Sequence, residues 1–120
     1  VGEGGLLGMA LHPNFEQNRF LYLYLTVNEG GKIENRVERF VFTQKGELTN
    51  KTVILDKIPG ANFHNGGRII FGPDSNLYLT TGDSPNPSLA QDVNSLAGKI
   101  LRIKDNGTIP RDNPFKNAVW

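Results

Sequence analysis

Short apolar runs recur along the chain, each four to eight residues long and each closed by glycine, proline, asparagine or a charged residue. Residues 6–11, 20–27, 36–43, 53–56, 68–71, 77–81 and 99–103 are the predicted strands. Their β-branched and aromatic side chains suit a pleated, half-buried surface. Within 36–43, Val37, Arg39 and Val41 fall on one face and Glu38, Phe40 and Phe42 on the other. No segment keeps a helical period for more than about two turns. Residues 88–96 have room for a helical turn and are read as loop.

The runs repeat in order. Leu11-His12-Pro13-Asn14 aligns with Phe71-Gly72-Pro73-Asp74 at an offset of 60, and Leu21-Tyr22-Leu23 with Leu77-Tyr78-Leu79 at an offset of 56. Asn35-Arg36-Val37-Glu38-Arg39-Phe40 then aligns with Gly98-Lys99-Ile100-Leu101-Arg102-Ile103 at an offset of 63. A four-strand unit of this length suits a propeller blade. A single β-sandwich also yields short, evenly spaced strands, but it does not require strand order and turn chemistry to repeat. The predicted fold is therefore all-β, with one blade over 1–59 and an incomplete next blade over 60–120.

Blades are antiparallel meanders, so the connection into an inner strand and the connection from second to third strand share a face. That parity groups Gly2-Glu3-Gly4-Gly5, Asn62-Phe63-His64-Asn65-Gly66-Gly67 and Gly82-Asp83, with the loop 84–97 rising beside them. Glu3, His64 and Asp83 are thus the candidate cluster. A long loop over the mouth of a rigid scaffold is a common functional arrangement.

Composition narrows the chemistry. The 13 Lys and Arg residues nearly cancel 12 Asp and Glu, leaving +1, so no electrostatic footprint for nucleic acid is present. The longest apolar stretch, 20–25, is far short of a membrane span. The absence of cysteine removes disulfides, thiolate metal sites and thiol nucleophiles. No basic and apolar leader opens the chain at Val1, and Ala118-Val119 stand just before its end, so the chain reads as a piece of a longer protein.

An imidazole accepts a proton near neutral pH when a carboxylate orients it, which makes His64 a candidate base and Asp83 its partner. The glycines after His64 permit positive φ and close approach of a flat ligand. The bland alternatives are a structural His64 and an Asx-turn Asp83. His12 reads as a turn residue between strands, and Gly72-Pro73-Asp74-Ser75-Asn76 as a turn. Two histidines 52 positions apart do not make a zinc site. Gly2-Glu3-Gly4-Gly5 lacks the Gly-Lys-Ser/Thr and the helix of a phosphate loop.

Gly2-Glu3-Gly4-Gly5-Leu6-Leu7-Gly8-Met9-Ala10-Leu11-His12-Pro13-Asn14-Phe15 resembles the opening signature of the soluble quinoprotein glucose/sorbosone dehydrogenase family. His64-Asn65-Gly66-Gly67-Arg68-Ile69, Gly72-Pro73-Asp74, Thr81-Gly82-Asp83, Gly98-Lys99-Ile100-Leu101-Arg102-Ile103 and Gly107-Thr108-Ile109-Pro110-Arg111-Asp112-Asn113-Pro114-Phe115 continue it, most like the aldose sugar dehydrogenase branch. The resemblance implies a six-bladed β-propeller, of which this chain is about two blades. It implies pyrroloquinoline quinone (PQQ) and calcium as cofactors, an aldose substrate, an external electron acceptor and a periplasmic or secreted location. His64 matches the family's catalytic base and Asp83 its active-site Asp. Glu3 sits where some members carry Gln beside the cofactor, and His64 lies against the cofactor too. Phe63 departs from members with Asp before the base. The calcium ligands and the basic residues on the cofactor's carboxylates are expected beyond Trp120, with none in this chain, so residues 1–120 alone are expected to be inactive. Two other readings are a non-catalytic propeller that serves as a binding module and a calcium-dependent lactonase-type propeller.

Overall fold

The computed structural model describes residues 2–120 and resolves them into two antiparallel sheets. The first runs in the order β1 (Leu6–Leu11), β2 (Phe20–Glu29), β3 (Lys32–Phe42) and β4 (Leu48–Pro59). The second runs β5 (Gly66–Phe71), β6 (Leu77–Thr81) and β7 (Ile100–Ile103). Both are simple meanders, as short polar connections between successive strands dictate. Val119 adds an isolated bridge to Leu101, so the end of the chain begins to pair along the outer edge of β7.

β1 and β6 occupy the expected positions, and the middle strands of the first sheet run longer. β2 and β3 continue into a tight hairpin at Gly30 and Gly31, whose φ angles of 61° and 87° are those a primed two-residue turn requires. β4 starts at Leu48 and ends at Pro59, whereas the apolar signal covers only 53–56. It is the outer strand. Its side chains are mostly exposed, and Asn50 and Lys57 adopt positive φ where the register with β3 slips. A polar, irregular edge of this kind resists pairing with other chains.

Two short turns depart from the strand-and-loop reading. Phe15–Asn18 forms a single helical turn, α1, closed by Arg19 in the left-handed region at φ 59°. Pro87–Gln91 forms a 3-10 turn inside the loop read as irregular, with proline in its first turn, where the missing N–H costs nothing.

The core lies between the two sheets. Tyr22, Tyr24 and Val37 from the first meet Ile69, Leu79 and Leu101 from the second, all buried. In β3, Val37 packs inward and is fully buried. The opposite face is closed as well: Glu38 is buried against the Arg36 guanidinium at 2.7 Å. β1 and β5 pack side by side, so the loops that enter them emerge next to each other.

Candidate functional site

The loop into β5 and the turn leaving β6 bring His64 and Asp83 together. His64 Nδ1 lies 2.9 Å from Asp83 Oδ1. An ionised carboxylate only accepts hydrogen bonds, so in neutral His64 the proton sits on Nδ1 and Nε2 keeps its lone pair. No other protein group among the described residues bonds the ring. The imidazole is 58% exposed and the carboxylate 26%. Glu3, from the loop into β1, completes the group: its carboxylate accepts the His64 N–H at 3.3 Å, and its own N–H donates to Asn62 O at 2.6 Å. The three residues that parity groups on one face are thus in direct contact.

Asp83 does not use its side chain in an Asx turn. The turn after it is made by backbone, Asn86 N–H to Asp83 O at 3.0 Å, which frees the carboxylate for His64. Phe63 stands beside His64, ring edge to face with centroids 5.4 Å apart, and is itself exposed.

His64 holds φ 61°, a left-handed conformation that costs a non-glycine residue about 1–3 kcal/mol unless its surroundings enforce it. Gly66 and Gly67 also have positive φ, as the sequence suggests. Their close approach, however, is to the protein itself. A Cβ on Gly66 would lie 2.7 Å from Gly82 N and Thr80 O, and one on Gly67 would press on Leu7 and on the Tyr24 ring. These glycines seat β5 against β1 and β6.

Three polar clusters carry more than their sequence signals suggest. Asn65 is 3% exposed, and its side chain bonds Ala61 and Asn35 while its carbonyl accepts the Tyr24 hydroxyl at 2.8 Å. In the sequence it is merely a turn residue. His12 is buried, which corrects its reading as a simple turn residue. Its Nδ1 accepts the Asn14 N–H at 3.0 Å, so Nε2 carries the proton and donates to Asp105, just beyond β7, at 2.9 Å. Asp74 is likewise more than a turn residue. It accepts bonds from Asn76, Tyr78 and buried Arg102, and Arg102 also pairs with Asp112 at 2.7 Å. The bonds from Asn76, together with those from Tyr78 and Arg102, hold the Asp74 carboxyl well below the usual range.

The resemblance implies PQQ and calcium, and the side chains at the site bear differently on the two. A free imidazole nitrogen beside an exposed aromatic ring fits a reaction in which an alcohol loses a proton next to a planar acceptor. Calcium takes six to eight oxygen ligands. Among the described residues no three His, Cys, Asp or Glu side chains cluster as a metal site. Nor is any of them a helix long and apolar enough to cross a membrane.

The whole length of the chain resembles known proteins. Residues 1–120 match the sequence profile of the glucose/sorbosone dehydrogenase family. The chain superposes on the PQQ-bound aldose sugar dehydrogenase of Streptomyces coelicolor with a TM-score of 0.93 and 41% identity, covering 100% of this chain and 36% of that one. It is 34% identical to an aldose sugar dehydrogenase of Escherichia coli over 95% of its own length and 32% of the relative's. An uncharacterised Synechocystis protein is 42% identical over 96% of this chain and 31% of its own. The chain therefore spans about a third of the curated relatives it matches. Its two sheets are neighbouring blades of a β-propeller.

Proposed function

This chain belongs to the glucose/sorbosone dehydrogenase family, and on that premise we propose that the whole protein oxidises aldoses to lactones with PQQ, using His64 as the base. The observation that carries the reading is the 2.9 Å contact between His64 Nδ1 and Asp83, which leaves Nε2 of an exposed imidazole as a proton acceptor. When bound, PQQ supplies the two-electron acceptor for hydride from the sugar's anomeric carbon. His64 Nε2 takes the proton of the anomeric hydroxyl, so that a carbonyl forms as the C–H bond breaks. Asp83 holds the ring in the tautomer this requires and stabilises the imidazolium that results. Glu3 fixes the backbone of His64 and lines the cofactor side of the site. Phe63 offers an apolar face to the sugar ring and bears on which aldose is accepted.

We assign the calcium site, and the cations that would meet the cofactor's carboxylates, to residues outside this chain. The electrons then pass to an external acceptor, in the periplasm or outside the cell.

The test is made on the whole protein loaded with PQQ and calcium. Adding an aldose bleaches the oxidised-quinone absorbance in the wild type. In His64→Ala the rate of bleaching falls by about a hundredfold or more, the size of a general-base contribution. Bleaching at the wild-type rate in the variant removes His64 from the role.

A further inference from the structure

We infer that Asn65 is a positioning residue that locks His64 in its left-handed conformation through anchors on the neighbouring blade; its catalytic meaning rests on the base reading above. Asn65 touches neither ring nor carboxylate. It acts on the backbone immediately after His64. Its Oδ1 accepts the Ala61 N–H at 3.0 Å and the Asn35 Nδ2 at 3.1 Å, and its Nδ2 donates to Ala61 O at 2.9 Å. The loop 61–65 is thereby closed into a ring around a single amide. Its carbonyl is held in addition by the Tyr24 hydroxyl at 2.8 Å.

The anchors belong to the first blade. Tyr24 lies on β2 and Asn35 on β3, and both are fully buried. Asn35 is itself fixed, accepting from Thr26 Oγ1 at 2.7 Å and donating to Pro59 O at 3.1 Å. A side chain with both donor and acceptor is required at residue 65. Aspartate would lose the bond to Ala61 O and bury a charge, and leucine would leave Ala61 and Asn35 unpaired. A buried network in which every member is satisfied has one arrangement, which is what a backbone in a sparsely populated region needs. Asp83 then meets an imidazole whose origin is already set.

The experiment compares wild type, Asn65→Asp and Tyr24→Phe in the whole protein. Tyr24→Phe keeps the ring in the core and removes only the bond to Asn65 O, so it decides the matter if Asn65→Asp does not fold. The first readout is histidine ¹⁵N NMR of the cofactor-free protein. The wild type is expected to show neutral His64 protonated at Nδ1, and the variants a mixture of tautomers. The second is steady-state kinetics of the loaded enzyme. A drop in kcat of roughly 10-fold to 100-fold is expected, the scale of a displaced reacting group, with KM nearly unchanged. Variants that melt earlier yet keep both the wild-type tautomer and the wild-type kcat per folded molecule would reduce Asn65 to a structural role and overturn the inference. Undiminished turnover in His64→Ala would overturn the base reading instead, and the NMR comparison still decides whether Asn65 sets the imidazole.

Discussion

A neutral imidazole has one nitrogen to donate and one to accept, and what the donor nitrogen touches decides which is which. Asp83 makes that choice for His64. Replacing it with asparagine keeps size and shape but allows an amide N–H to face Nδ1, which moves the proton to Nε2 and removes the base. Asp83→Asn is therefore expected to lower kcat by about 10²- to 10⁴-fold, the range seen when a catalytic histidine is set in the wrong tautomer, with little change in KM. Steady-state kinetics of the loaded whole protein measure it. A variant within twofold of wild type would show that Asp83 does not orient the ring. Glu3 differs from Asp83 because it meets backbone, not the imidazole, so Glu3→Gln should preserve most of kcat.

At the scale of the element, the second sheet is pinned by an ion-pair network on β7. Arg102 is buried and joins Asp74, in the turn between β5 and β6, to Asp112 beyond β7. Both carboxyls titrate below their ordinary value. A depressed folded value means that the stabilisation is complete above the unfolded carboxylate pKa of about 3.9 and is lost as pH falls below it. Asp74→Asn should lower the melting temperature at pH 7 and flatten its decline between about pH 5 and pH 2. An acid limb as steep as in the wild type would exclude Asp74 as its source. This network was not legible in the sequence, where Gly72-Pro73-Asp74 reads as an ordinary turn and Arg102 as one polar position in an apolar run. What could be read were the elements whose hydrophobic signal spans their whole length, such as β1 and β6. Of β4 only 53–56 could be read, because an outer strand satisfies its backbone on one side only and tolerates Lys51, Thr52 and Lys57 along its exposed length. The same logic governs the site. Parity along a meander brings Glu3, His64 and Asp83 together from sequence alone. Asn65 escapes notice because its role depends on Tyr24 and Asn35, 41 and 30 positions away.

Between the blades, Tyr22 and His12 both reach residue 105 beyond β7, the phenol donating to Asp105 O at 2.8 Å and the imidazole to its carboxylate. Burial pushes the Tyr22 phenol up to about 12. A raised folded value means that its stabilisation is intact below the unfolded pKa of about 10 and fades as pH climbs from there through about 12. Tyr22→Phe should therefore soften alkaline unfolding, read as melting temperature against pH. The outward faces of the two blades remain uncovered. Leu6 and Met9 on β1, Ile70 on β5 and Ile100 on β7 are each more than half exposed, and such apolar surface on sheets with free edges drives association. In the relatives, about two thirds of the chain lies beyond the matched part and is available to cover it. A polypeptide of residues 1–120 alone is thus expected to sediment as a mixture of oligomers, and to give no aldose-dependent bleaching of added PQQ with calcium. It contains the proposed base, His64, and its partner Asp83, and the cations for the cofactor's acidic groups are assigned elsewhere. A monodisperse monomer that turns over aldose would show that two blades suffice, and would bring those cation and calcium contacts back within this chain.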